Sequence, residues 1–502
     1  MSSHLLHYSL ESVLSDVRLN VAPELSDSSV IRASIAEAEK RLFSVLYRFP
    51  GGFPEENETD ARRQCEELRH FISISSSRLA PIRRLHPEIL SLVFLHSILD
   101  FPLAIGRQQE FPIVAVSFHW RAVALSTPSL WSRFSLSLRG GDSAFRMLQL
   151  CLSRAKASPL TIEIRKDVDL RPSFHAGMVE HLIQNSNRWL RIYFPLDYRL
   201  LSLFASVRGR LSSLEVASFA CPLSTAHSEP SNHSLEDIDA FELAPKLSGL
   251  SLRDGTGDVP LFPLDQLERV LFTNMSNASI VSMTAKSPNL RSLTCRWSGN
   301  WTDPDPEAPP SIFASLTTID FKGDYCLLRY LTAPRLESLS LTDVRQISGS
   351  MLPAFLQRSH CNVGKLLLDG VWTHWTLIVE ALRLMPTLHT LTILDGQPNS
   401  VTDKGLEALA IDPGAVIPGL RNFTLHGSYL FRTSQLLHML ELRVTNAPGQ
   451  LRLVDLRLDQ REFAKSDLER FRGLKRIVGD LSLKRLHNSS SPLSAKKVCT
   501  LI

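Results

Sequence analysis

The strongest constraint in this chain of 502 residues is a short apolar phrase that keeps returning, with apolar side chains at its first, fourth and sixth positions. It stands at Leu211/Leu214/Val216, Leu247/Leu250/Leu252, Leu267/Val270/Phe272, Leu290/Leu293/Cys295 and Leu316/Ile319/Phe321. It returns at Leu336/Leu339/Leu341, Val363/Leu366/Leu368, Leu388/Leu391/Ile393, Leu420/Phe423/Leu425 and Leu451/Val454/Leu456. A last, degraded copy is read at Leu474/Ile477. Successive starts lie roughly 20 to 36 residues apart, in the range of repeat architectures. The last two apolar positions are two residues apart, so in an extended strand both point to the same face. Helical spacing fills the intervals, as at Ala144, Leu148, Cys151 and Leu152 ahead of the alternating stretch Leu160–Ile164. One such unit cannot bury its own apolar face, so neighbours must stack, and the strands are expected to line up in an irregular curved solenoid over 142–485. Pro245, Pro288, Pro334, Pro386 and Pro418 stand just ahead of five of the phrases, where proline stops a helix and favours extended backbone.

The chain ahead of the repeats reads differently. Residues 1–30 carry only weak amphipathic signals. Ser26-Asp27 then offers a helix cap, and Ile31, Ile35, Ala38, Leu42 and Val45 form a heptad seam up to Pro50-Gly51-Gly52. A second helical stretch with Arg62, Cys65, Leu68, Phe71 and Ile72 is expected to end in the serine-rich link Ser73 to Ser77. A helical hairpin over 31–78 follows, packed within the chain or pairing two copies as a coiled coil. Two heptads are short for holding a dimer. Over 81–138 a helix should start at Pro87, since proline fits the first helical turn. Ile89, Leu90, Val93, Phe94 and Ile98 recur along it, a stripe too wide to be left uncovered. After a polar loop from Asp100 to Pro112, Val114, Ala115, Phe118, Ala122 and Leu125 share one face of a second helix. Thr127-Pro128 then opens a short turn with Leu130 and Trp131. So small a three-helix unit needs a neighbour.

The runs Leu85-His86-Pro87-Glu88-Ile89-Leu90, Val116-Ser117-Phe118-His119-Trp120-Arg121-Ala122-Val123-Ala124 and Thr127-Pro128-Ser129-Leu130-Trp131 occur in this order. Together they resemble an F-box, most closely that of the fungal F-box-like proteins, over about a tenth of the chain. His86 stands where a proline is usual and Ser117 where a cysteine is usual. The phrases Ala-Pro-x-Leu, Ser-Pro-x-Leu and Met-Pro-x-Leu extend the resemblance weakly into the repeats, whose lengths overlap and exceed those of leucine-rich repeats. The resemblance implies that Leu85, Pro87, Ile89, Leu90, Val93, Phe94, Val116, Trp120, Leu130 and Trp131 include positions facing a Skp-type adaptor of an SCF-type cullin-RING ubiquitin ligase. The same residues would also serve as the core of the unit. The expected fold class is therefore α/β, with an N-terminal helical hairpin and a three-helix F-box-like unit followed by an irregular leucine-rich-repeat solenoid. The implied role is that of a substrate receptor with an unidentified protein target. The alternative is a repeat scaffold outside any ligase, with the F-box-like unit as its cap.

Composition adds exclusions. Hydrophobic residues make up 44%, charged residues 21%, and the formal charge is +4, too small to argue for a nucleic-acid or membrane partner. Seven cysteines without paired spacing read as reduced thiols of a cytoplasmic or nuclear protein. No secretory signal and no membrane-span-length apolar run is found. His175, Glu180 and His181 do not form a zinc-hydrolase spacing, and no phosphate-cradling loop or nucleophile elbow occurs, so no catalytic residue, metal or cofactor is expected. The end, Cys499-Thr500-Leu501-Ile502, fits a prenylation signal except for its last residue. Residues 486–502 read more simply as a disordered tail.

Overall fold

A computed structural model describes residues 25–47, 58–98, 102–106, 111–165, 175–194, 201–220, 239–253, 261–297, 310–323, 326–343, 351–370, 375–396, 401–410, 416–459, 463–487 and 497–500. The chain is mixed helix and strand, and it divides into two compact units, Met1–Gln184 and Asn185–Ile502. The expected start of the repeats at Asp142 thus falls inside the first unit.

In the first unit, α1 (Leu25–Tyr47) packs on α2 (Glu58–Arg78), with Ile31 and Ala38 buried on one helix and Cys65 and Ser75 on the other. The remaining seam residues Ile35, Leu42 and Val45 are only half-buried. The serine-rich stretch does not end the second helix but forms its last turns. Ser75 is buried there, and Arg83 reaches back with Nε to the Ser77 carbonyl (2.6 Å) and Nη2 to its hydroxyl (2.8 Å). The same Ser77 carbonyl, one of the last of the helix, also accepts from the Ala80 N–H (3.3 Å).

Next come α3 (Pro87–Ser97), with Pro87 in its first turn as expected, α4 (Phe118–Ser126), α5 (Asp142–Ala155) and α6 (Ala176–Gln184). Between them run three parallel strands, β1 (Leu103–Ile105), β2 (Arg133–Leu136) and β3 (Leu160–Ile164), neighbours in chain order. β1 lies within the stretch expected to be only loop. Leu103 and Ile105 are buried beside Phe134 and Leu136, so two well-placed apolar residues turn a polar segment into a strand. Arg165 ties the strands together. Its guanidinium donates to the Ser135 carbonyl and hydroxyl (both 2.9 Å) and to the Ile105 carbonyl.

The second unit holds a long parallel sheet whose neighbours also follow chain order. Its strands are β4 (Trp189–Phe194), β5 (Val216–Ala220), β6 (Gly249–Arg253), β7 (Arg269–Thr273) and β8 (Ser292–Arg296). A short strand β9 (Ser311–Ile312) pairs apart from this sheet with β11 (Leu331–Thr332). The sheet continues with β10 (Thr318–Lys322), β12 (Ser338–Thr342), β13 (Lys365–Asp369), β14 (Thr390–Gly396), β15 (Asn422–Gly427), β16 (Leu453–Asp459) and β17 (Asp480–His487). Helices α7 (Asn277–Ala285), α8 (Met351–Ser359), α9 (Trp375–Arg383), α10 (Asp403–Leu409), α11 (Thr433–Asn446) and α12 (Lys465–Lys475) fill intervals between strands.

The recurring phrase sets this register. From Leu247/Leu250/Leu252 through Leu451/Val454/Leu456 every expected residue is buried, and its strand positions pair in register with those of the next copy. The prolines act as read. In Ala244-Pro245-Lys246-Leu247 the alanine carbonyl accepts from the Leu247 N–H (3.1 Å), and the same closed turn forms before Leu290, Leu336 and Leu388. Just ahead of each strand, one carbonyl accepts two N–H groups from the next copy. Glu268 O accepts from Arg291 and Ser292, and Arg291 O from Thr317 and Thr318. Left-handed residues close several strands: Asn274 (φ 52), Gly323 (φ 94), Asp343 (φ 53) and Gly370 (φ 61). These are residue types that tolerate that conformation.

The first and last copies need correction. Register aligns Ala217 with Leu250 and Phe219 with Leu252, so the first phrase after β4 is Leu214/Ala217/Phe219, not Leu211/Leu214/Val216. A small alanine at the middle position hid the true phase. At the far end, Ile477 is exposed, and the last copy is Val478/Leu481/Leu483, aligned with Val454 and Leu456. An earlier copy, Trp189/Ile192/Phe194, is buried on β4 and was missed because aromatic residues replace leucine. The tail was expected to be disordered, yet it contains β18 (Lys497–Thr500), antiparallel to β17 with Cys499 opposite Arg485. The outer edge of β17 presents unpaired backbone groups, and an added strand satisfies them.

Candidate interaction site

α3 is apolar nearly all round, and its two apolar faces have different fates. Leu90, Phe94 and Ile98 follow one another at a spacing of four and are buried. Phe94 meets Trp120 of α4 at 4.9 Å between ring centroids. The opposite face carries Ile89, Leu92 and Val93, exposed to 48%, 53% and 42%. α4 behaves in the same way. Val123 and Ala124 are buried, whereas Phe118 and the preceding Val116 are exposed to 57% and 54%, and Ala122 and Leu125 are exposed too. The face that groups Phe118, Ala122 and Leu125 in the sequence is thus turned out, because the helix packs through the residues between them. A soluble surface scatters exposed apolar residues singly, whereas successive ones on two helices mark a surface that is covered by something.

The expected adaptor-facing residues therefore split. Pro87, Ile89, Val93 and Val116 are exposed, Leu85 and Trp120 half-buried, and Leu90, Phe94, Leu130 and Trp131 fully buried in the unit's own core. Trp131 is held on three sides. Its Nε1 donates to the Ala124 carbonyl (2.8 Å), the Arg154 guanidinium lies 4.4 Å over its ring, and Phe111 meets it at 5.4 Å. With Phe134 and Leu136, Trp131 also repeats the spacing of Trp189/Ile192/Phe194, so it opens a strand phrase at the end of the helical run. Leu92 and Phe118 belong to the exposed face but were not among the expected residues. Their sequence signal was the second apolar side of each helix, which a single-stripe reading overlooks.

Ser117 has a definite job. Its hydroxyl accepts from the Trp120 N–H (3.1 Å) and caps α4 at its first turn. A Ser117→Ala change is expected to cost about 1 kcal/mol in urea unfolding of the full chain, the usual worth of an N-cap.

Two groups of polar side chains elsewhere among the described residues have defined partners. His426, Asp455 and Ser482 lie on β15, β16 and β17. The carboxylate sits in the middle, accepting from Ser482 on Oδ1 and lying against His426 (2.8 Å) and Arg457 (3.1 Å) on Oδ2. Burial works against its charge, but those hydrogen bonds outweigh burial and hold the Asp455 carboxyl below its ordinary value. The serine donates to the carboxylate rather than to the imidazole, which is not the serine–histidine–carboxylate order of a hydrolase triad. His181 is engaged by the Gly177 carbonyl (3.1 Å) and Gln149 (3.2 Å), and His175 lies 3.3 Å from Asp142. Among the described residues there is no group of three or more side chains placed to hold a metal ion, and no helix long and apolar enough to cross a membrane. Cys65, Cys151, Cys295 and Cys361 form no disulfide. Burial pushes the Cys151 thiol up to about 12 and raises Cys295 and Cys361, which keeps them protonated and unreactive. The chain matches no family model and no curated protein.

Proposed function

We propose that the chain is a substrate-receptor subunit of a cullin-RING ubiquitin ligase. In this reading 81–138 is an F-box-like unit that docks on a Skp-type adaptor, and the sheet of the second unit is a leucine-rich-repeat-like solenoid that holds a target protein. The supporting observation is the outward apolar face of α3, Ile89, Leu92 and Val93, set against a core already completed by Leu90, Phe94 and Ile98. Covering side chains of this size is worth on the order of 1 kcal/mol each for the half still in water. The contribution to ubiquitin transfer is proximity: a held target meets the loaded conjugating enzyme at high effective concentration, with the chemistry left to partner subunits.

The test uses positions that carry no core packing. An Ile89→Glu/Val93→Glu variant of the full chain is expected to melt at the same temperature as the parent and to lose co-purification with a Skp-type adaptor. Unchanged retention of the adaptor by the folded variant would remove the basis of the reading. A second reading, a repeat scaffold with the helical unit as its end cap, draws on the strand phrase Trp131/Phe134/Leu136, which merges the helices with the strands that follow. It expects the parent chain itself to retain no adaptor.

A further inference from the structure

The outward apolar residues of the helical unit come in two pieces. One is α3, with Ile89, Leu92 and Val93; the other is the stretch leading into α4, with Val116 and Phe118. α3 is a continuous helix, so its own backbone hydrogen bonds hold the first piece. The second piece lacks that support. It joins a single turn, Pro112–Ala115, to the first residue of α4, and Val116 lies between the two elements. Ser117 is extended (φ −158, ψ 166), so the backbone changes direction between the two exposed apolar residues. The flanks are anchored: Ile113 is buried on one side, Val123 and Ala124 on the other. Arg121 reaches across the part between. Its Nε donates to the Val114 carbonyl seven residues back (2.8 Å), and its guanidinium lies 5.7 Å from the centre of the Phe118 ring. Its backbone N–H donates to the Ser117 carbonyl (3.0 Å). One residue thus closes the stretch that carries both exposed side chains.

We infer that Arg121 is a positioning residue for docking: it holds Val116 and Phe118 in the arrangement that an apolar groove of the adaptor takes up, and acts through them rather than by pairing with the adaptor itself. The inference rests on the proposed reading in naming the adaptor as the partner. A guanidinium suits the task because its edge donates to a carbonyl while its cation lies against an aromatic ring, whereas a lysine ammonium is a point charge with no planar fork. The tie lies at the surface, where a hydrogen bond adds little to the stability of the free chain. Its effect appears on association, because a bend and two side chains that are already ordered need not be ordered at the interface. Ser117 contributes to the same arrangement by capping α4, but its hydroxyl stays within the first turn, and only the Arg121 side chain returns from α4 to Val114.

The experiment compares the full chain with Arg121→Met, which keeps the apolar stem and removes the guanidinium, in two measurements. The first is amide hydrogen exchange of the free chain. Arg121→Met is expected to melt with the parent and to exchange about fivefold faster at the Trp120 amide, with the amides of α3 unchanged, as local loosening does. The second is the affinity for a purified Skp-type adaptor. Arg121→Met should bind about tenfold more weakly, the effect of ordering a short segment and its side chains on binding. Arg121→Lys should recover part of that loss. In a Phe118→Ala background the further loss should shrink to about twofold, because residues that act through one another are not additive. The loss should also be the same at about 50 mM and about 500 mM salt, since screening weakens an ion pair with the partner but not a fixed bend. Unchanged exchange in Arg121→Met, unchanged adaptor affinity, the full tenfold loss in the Phe118→Ala background, or a loss that fades at high salt would each overturn the inference. A parent chain that takes up no adaptor removes the docking reading instead, and the exchange measurement, which needs no adaptor, still decides whether Arg121 holds this stretch.

Discussion

A Gly405→Ala variant is expected to unfold about 3 kcal/mol more easily than the parent chain, as overpacking of a closed core site does at its upper range. Helix propensity alone points the other way. Gly405 lies inside α10, where alanine is favoured over glycine by about 1 kcal/mol. The contact decides the sign. A Cβ at this position would overlap the Trp375 indole at Nε1, Cδ1 and Cε2. The indole of Trp375 is rigid and buried on α9, so it cannot swing aside as the end of a long side chain would. The two helices can approach this closely only because one of them has no side chain at the crossing. Thermal melting should fall by about 5 °C or more for a unit of this size. Shrinking the partner offers an internal check. Trp375→Leu destabilises by itself, but combined with Gly405→Ala it should cost clearly less than the sum of the two. An alanine variant as stable as the parent would mean that α9 and α10 are farther apart than described.

Trp131→Ala should be the most damaging change in the first unit, with a loss of about 3–5 kcal/mol for truncating a buried tryptophan. Its ring fills the space between Phe111, Arg154 and the start of β2, and its indole N–H satisfies the Ala124 carbonyl near the end of α4. Trp131→Phe keeps an aromatic ring beside Phe111 and Arg154 and removes only the hydrogen bond. Its cost is expected to be about 1 kcal/mol, that of one buried hydrogen bond, because the Ala124 carbonyl still accepts from the Thr127 N–H (3.4 Å). The pair separates packing from docking. On the proposed reading, Trp131→Phe should retain a Skp-type adaptor to the same extent as the parent under conditions where it is folded. The exposed Ile89→Glu/Val93→Glu variant should fail to retain it while melting normally. If Trp131→Phe is folded and yet loses the adaptor, Trp131 would have to be a contact residue rather than a core one.

These contrasts show which parts of the chain were legible in advance. Local chemistry fixed the start of α3, because proline suits a first helical turn wherever the helix goes afterwards. The strand phrase from Leu247 to Leu456 was legible for a similar reason. Each copy carries its own alternation and most carry a proline turn, so the register follows from a repeated local signal. Where one residue of the phrase was atypical, the reading slipped: Ala217 moved the first copy by three residues, and Trp189 and Val478 hid two others.

Tertiary structure decided what no local signal holds. α3 and α4 are apolar on two sides, and periodicity cannot say which side meets a neighbour; packing of α3 on α4, with Phe94 against Trp120, and on the turn Pro128–Trp131 turned Leu90 and Phe94 inward and left Ile89, Leu92, Val93 and Phe118 outside. The row Arg253, Thr273, Arg296 was equally invisible, since these residues are far apart in the chain and are aligned only through strand pairing. The sequence by itself determined the strands, their order and the apolar character of the helical unit, because each is written in residues a few positions apart. Only the tertiary structure decided which apolar face is core and which charges share a surface, because both depend on contacts between residues that the chain keeps distant.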